Sequence, residues 1–206
     1  MKFTLTRKNI RALLHFAAKK DPRYYLNALC VTQNNRGTVL EATNGHVLGI
    51  IRVDQAPQAE NRVIISRDDC EKLKGTKKQG DEELHFTVEG TRISCEIPSQ
   101  GLIMHFASID AKFPDTDRVV PKYNPSEPQI AATYNPEYIQ AFSDASAELM
   151  SAKSIPVVYQ RGNDAALVSI GFDDFVGVVM PIRSTHAEFQ PSLWIYQPKA
   201  DEKLAA

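Results

Sequence analysis

The sequence predicts an α+β fold with antiparallel sheet on one side and helices on the other. Three observations carry this: short strands recur with hairpin turns between them, one helix punctuates each group, and a strand, helix, three-strand order repeats at about 60 residues. At 206 residues, 43% hydrophobic and 24% charged, the composition is that of a globular chain forming one or two compact units.

In the first copy Phe3-Thr4-Leu5 is the leading strand and Arg7 to Lys20 the helix. Leu26 to Gln33, Thr38 to Thr43 and Val47 to Val53 follow as strands. The turns Asn34-Asn35-Arg36-Gly37 and Asn44-Gly45-His46 supply residues that tolerate positive φ. The second copy opens on Arg62-Val63-Ile64-Ile65, continues through a short helix from near Ser66, and closes with strands at Leu84 to Val88, Ile93 to Ile97 and Leu102 to Ile109. The third follows the Pro- and Asn-rich connector 122–128 and opens on Gln129-Ile130-Ala131-Ala132-Thr133. Its helix start is the clearest: Asn135 caps, Pro136 loses nothing at the first helical position, and Glu137 favours the positive end of the dipole. Strands near Ile155 to Gln160, Ala166 to Phe172 and Phe175 to Ile182 complete it.

Several function classes find no support. Apolar runs such as Phe175 to Met180 fall far short of the ~18 residues of a membrane helix. The start lacks the apolar stretch and cleavage site of a secretory signal, so a cytoplasmic location is expected and no membrane partner. The five histidines are dispersed, Cys30, Cys70 and Cys95 form no CxxC pair, and neither a metal nor another cofactor is expected. Catalysis lacks a motif: there is no GxSxG, and residues 75–80 lack the glycine spacing of a phosphate loop.

Charge is unevenly distributed. Met1 to Arg23 holds seven Lys or Arg against one acid, Asp21, in a chain of net charge −1. On the first helix Ile10, Leu13, Leu14 and Ala17 share one face, opposite a stripe of Lys8, Arg11, His15 and Lys19. With Arg7, and with Lys72, Lys74, Lys77 and Lys78 around the second helix, these form a candidate surface for duplex DNA. It would meet phosphates without reading bases. An ordinary solvated helix face is the alternative. The third helix departs from the pattern, with Glu137, Asp144 and Glu148 and no basic residue before Lys153.

Four motifs, in order, resemble the bacterial DNA polymerase III beta subunit family, the beta sliding clamps. Asp21-Pro22-Arg23-Tyr24-Tyr25-Leu26-Asn27 looks like the entry to that clamp's middle domain, and Ala42-Thr43-Asn44-Gly45-His46-Val47-Leu48 like its ATDGHRLA turn. Asn44 stands for the usual Asp there and Val47 for the usual Arg. Residues Phe113 to Pro121 are similar to the FPDYRRVLP linker, and Val178-Val179-Met180-Pro181-Ile182-Arg183 to the C-terminal VMPMR. The resemblance implies a DNA-clamp fold with sheets outside and helices inside. It also implies a pocket for short peptides of DNA polymerase, clamp-loader or repair proteins. The matching positions are Leu26, Thr43, Gly45, His46, Leu48, Pro114, Arg118, Val119, Tyr138, Val178, Met180, Ile182 and Arg183.

Against a three-domain clamp, the chain resembles a middle domain plus the second half of the last. Residues 1–121 would be a complete domain of two units, 122–184 a third unit, and 185–206 a tail. Three units per chain would need four chains for a twelve-unit ring, so a homo-oligomer, and a homotetramer first, is expected. In the tail, Gln190, Ser192, Leu193, Trp194 and Ile195 look like the Gln-x-Ser-Leu-x-hydrophobic peptide that binds bacterial clamps; a strap over an apolar edge is the alternative. The expected function is a non-enzymatic sliding clamp, or processivity factor, that encircles duplex DNA and docks replication proteins. The alternative is a clamp-derived regulator that competes for partners or caps another clamp without closing.

Overall fold

The computed structural model describes residues 1–55, 61–77, 81–124, 126, 128, 130–161 and 164–182. The first unit is β1 (Lys2–Thr6), α1 (Arg7–Leu14), β2 (Ala28–Asn34), β3 (Gly37–Thr43) and β4 (Val47–Val53). The second is β5 (Asn61–Ser66), α2 (Arg67–Leu73), β6 (Glu83–Glu89), β7 (Arg92–Ile97) and β8 (Leu102–Ala107). The third contributes α3 (Pro136–Met150), β9 (Val157–Tyr159), β10 (Ala166–Ser169) and β11 (Phe175–Val179).

Each helix begins where a polar residue ends the strand or extended segment before it. Thr6 and Asn9 form a reciprocal capping box on α1, Ser66 accepts from the Asp69 amide on α2, and Asn135 accepts from the Glu137 amide on α3, with Pro136 next. The first helix is shorter than expected: it stops at Leu14 and does not reach Lys20. Phe16 turns inward, Ala18 N–H donates to the Leu26 carbonyl at 3.0 Å, and Lys20 takes φ 58°. Burial of Phe16 therefore overrides the helix preference of Ala17 to Lys20, and Lys19 leaves the helical stripe.

All strand pairing is antiparallel, in a four-stranded sheet β1-β6-β7-β8 and a seven-stranded sheet β5-β2-β3-β4-β11-β10-β9. Leading strands cross over: β1 of the first unit pairs with β6 of the second, and β5 of the second with β2 of the first. The leading strand expected at 129–133 does not form a ladder. Thr133 makes a single bridge to Ile182, and Gln129 lies outside the described residues. No other described strand is placed to receive it.

First and third units meet where β4 pairs with β11 over five residues. At the middle of that ladder Gly49 faces Gly177. A Cβ on either would collide with a buried ring, Phe16 over Gly49 and Phe142 over Gly177. Those rings lie 5.0 Å apart, and Phe175 completes the cluster. Two missing side chains thus make room for two aromatic ones, and α1 and α3 come together above the ladder. Gly177→Ala is expected to lower stability by about 1–3 kcal/mol through overpacking, measured by chemical denaturation, whereas Val176→Ala on the exposed face should stay within about 0.5 kcal/mol.

Candidate functional site

At one end of the β4·β11 ladder lies a cavity of about 240 Å³. Leu48 of β4 stands opposite Val178 of β11, Met180 N–H donates to the His46 carbonyl at 2.8 Å, and these residues form its floor and rim. The turn before β4 is fixed by side chains. Asn44 Oδ1 accepts from the amides of His46 and Val47 at 2.9 and 3.0 Å, while Thr43 Oγ1 accepts from Gly45 and donates to the Val47 carbonyl. Asn44 thus supplies the acceptor that an Asp would. Gly45, at φ 92°, leaves Arg23 room to pass, and Arg23 is held by Asp21 at 2.9 and 3.0 Å. That hydrogen bonding draws the Asp21 carboxyl down to about 2.

The opposite wall is Pro114, Thr116 and Val119. Phe113 anchors it, buried against Ala28, Cys30 and Ile64. The Thr116 carbonyl accepts from the amides of Val119 and Val120, and its hydroxyl donates to the buried carboxylate of Glu41 on β3. Burial pushes the Glu41 carboxyl above the usual carboxylate range, against the downward pull of that hydroxyl. Outside, Arg36 clamps Asp117 at 2.9 and 3.0 Å. Two side-chain ties from the first unit therefore hold the wall that carries Val119.

Of the thirteen pocket positions expected, Leu26, Thr43, Gly45, His46, Leu48, Pro114, Val119, Val178 and Met180 line this cavity. Tyr138 lies behind it, its ring stacked on His46 at 5.5 Å. Arg118 points to solvent beside Asp115, Ile182 bridges to Thr133, and Arg183 lies outside the described residues. The lining also includes Arg23, Tyr25, Val47 and Thr116, which were not anticipated although all four sit inside the quoted motifs. A wider, more polar groove of about 860 Å³ adjoins the cavity through Arg23, His46 and Val47, reaching His15 and the start of α3.

The cationic surface requires correction. Arg7 is 1% exposed: its guanidinium pairs with Glu82 at 2.8 Å and donates to the Leu73 carbonyl, so it is a buried strut. Arg11, 10% exposed, joins Glu148 of α3 at 2.6 Å and Asp81 at 3.2 Å, and so binds helix to helix. Neither can reach a phosphate without breaking these pairs. Lys8 faces Asp81, Lys72 pairs with Asp69, Lys74 with Glu71 and Lys77 with Glu148. His15 and Lys19 are exposed, while Lys78 lies outside the described residues. Burial of its base lowers the His15 pKa, against the attraction of Asp144 and Glu148. The tail residues Gln190, Ser192, Leu193, Trp194 and Ile195 also lie outside the described residues.

Among the described residues no cluster of three His, Cys, Asp or Glu is placed to hold a metal ion. Cys30, Cys70 and Cys95 are buried free thiols, and burial pushes Cys30 and Cys95 up to about 12. Such thiols are poor nucleophiles.

No protein-family model matches the chain. In sequence it is 26% identical over 137 residues to the beta sliding clamp of Proteus mirabilis, covering 64% of this chain and 36% of that protein. It is 30% identical over 130 residues to the beta sliding clamp of Pseudomonas aeruginosa, covering 59% and 34%. The match thus spans about a third of these curated relatives. In structure it resembles a Pseudomonas aeruginosa DNA polymerase sliding clamp crystallised with ligand, with TM-score 0.67, 21% identity, 89% of this chain and 66% of that one. It also resembles the DNA polymerase III beta subunit of Thermotoga maritima, with TM-score 0.69, 14% identity, and 90% and 66% coverage. The fold is that of the sliding clamps, and the resemblance drawn from the four motifs holds.

Glu41→Gln tests the tie beneath the pocket wall. A carboxyl raised by burial adds to stability while protonated and loses that contribution as pH rises through its folded-state pKa. The amide keeps an acceptor for Thr116 but does not ionise. The stability of the variant relative to wild type should therefore climb as pH rises above about 4, the ordinary glutamate range, followed by thermal melts; a flat difference would show that Glu41 carries no such burden.

Proposed function

We propose that the chain is a non-enzymatic DNA-clamp subunit whose apolar cavity at the β4·β11 junction anchors short peptides of DNA polymerase, clamp-loader or repair proteins. The cavity carries this reading: it is mostly apolar, has few fixed polar groups, and its rim keeps Val119 and Met180 accessible. Residues 1–121 act as a complete clamp domain and 122–184 as half of another, with 185–206 as a tail. Four chains make a closed ring around duplex DNA. Topology then holds the protein on DNA, so phosphate contacts can be few, and docked enzymes stay at high local concentration.

Few contacts are what the helices offer. With Arg7 and Arg11 engaged internally and four lysines beside acids, phosphate contact falls to His15, Lys19 and any lysine that exchanges its partner. The work is done in the cytoplasm; among the described residues no helix is long and apolar enough to cross a membrane. The same neutralised face favours a second reading, a regulator that competes for clamp partners without encircling DNA.

Loading the protein on nicked circular DNA and then linearising the circle separates the two readings. A ring slides off free ends; retention that ignores linearisation excludes encirclement. The pocket has its own test. Met180 is 43% exposed, so Met180→Ala should leave folding unchanged while weakening a Gln-x-Ser-Leu-x-Phe peptide by about tenfold, or ~1.4 kcal/mol. Equal affinities by fluorescence anisotropy would remove the cavity from the proposal.

A further inference from the structure

We infer that two copies of the chain join third unit to third unit by exchanging leading strands, residues 130–134 of each adding to the free edge of the other's β9. The inference rests on the four-chain ring proposed above and assigns one of its two kinds of joint.

The pattern is already present twice within one chain. In each complete unit a leading strand runs directly into its helix and adds to the first strand after the helix of the neighbouring unit: β1 to β6, and β5 to β2. Their apolar residues, Phe3 and Leu5 in one and Val63 and Ile65 in the other, are buried in the core beneath the sheets they join. Among the described residues the third unit has both halves of the arrangement and no neighbouring unit that completes it. Residues 130–134 run into α3 as β1 runs into α1, and β9 is the first strand after the helix, paired with β10 alone.

Exposure marks both halves as unfinished. Ile130 is 41% exposed, Val157 49% and Ile155 90%. Among the described residues the backbone of 130–133 makes two hydrogen bonds, Ile130 to Gln160 and Ile182 to Thr133. An open strand edge beside exposed β-branched residues is a template for another strand. The third unit itself points to the occupant: among the described residues it both offers a leading strand and lacks one, so a second copy of it matches.

Charge agrees. Neither 130–134 nor 155–160 contains a charged residue. A two-fold axis sets like residues near their own counterparts, so a charged edge would repel itself and a neutral one does not. The exchange is reciprocal, which doubles the ladder gained for one axis. The other open edge, β8 with Leu102 and Ile103 exposed, is a last strand of the same kind as β4 and β11 and belongs to the second kind of joint.

Sedimentation of the full chain with two sets of variants tests this. Wild type is expected at the mass of four chains. Ile130→Asp and, independently, Val157→Lys should each halve that mass and speed amide exchange in β9 by about tenfold or more, while Ile103→Asp also halves the mass but leaves β9 protected. Four-chain mass with unchanged β9 protection in both third-unit variants would overturn the exchange and leave the ring standing. A monomeric wild type would overturn both. If a chain lacking residues 183–206 loses β9 protection at unchanged mass, the tail covers the edge and the exchange is wrong.

Discussion

The β4·β11 ladder is the contact on which the rest of the architecture depends. Backbone pairing alone would join the sheets, but Gly49 opposite Gly177 determines how close the helices above can come. Phe16 and Phe142 fill the vacated space, and their contact draws α1 against α3. A side chain at either glycine would lift a ring and with it a helix. Because Leu48 and Val178 are neighbours in the same ladder, the cavity exists only while the two units are joined.

Electrostatics serves that joint before it serves any ligand. Glu148 receives Arg11 and Lys77, so charge ties α3 to α1, where aromatic packing also acts, and to the segment that follows α2. Arg7 and Glu82 do the same between α1 and the residue just before β6. Arginines buried beside carboxylates are costly to strand, and removing one partner leaves an uncompensated charge. What remains exposed is a sparse, partly neutralised surface, which suits the proposed retention on DNA by shape more than by affinity.

Much of the fold was legible because local chemistry and tertiary structure agree. Val47 to Val53 was read with its observed bounds, the second helix starts beside Ser66 as expected, and the cap at Asn135 stands where the sequence put it. Arg7 and Arg11 misled because their partners arrive from far along the chain: Glu82 is 75 residues from Arg7, and Glu148 is 137 from Arg11. No window of sequence contains both charges. The overlong first helix has a similar cause, since only the distant Phe142 and Phe175 explain why Phe16 turns inward. The pocket positions came from motif resemblance, and nine of them surround one cavity because the motifs bracket the two strands of the joint. Thr116 escaped because its importance lies in Glu41, a buried acid on another element.

Three units per chain, as proposed, would constrain the ring made from them. Neighbouring units join through antiparallel strand pairs, and a joint between identical edges must be a two-fold axis, which in the proposed ring would run radially through the wall. Each such axis turns the next chain over. Four chains closed in this way would carry their peptide pockets alternately on one rim and the other, two to a side. The two faces of the ring would be the same, and an enzyme docking from either direction along the DNA would meet an equivalent surface.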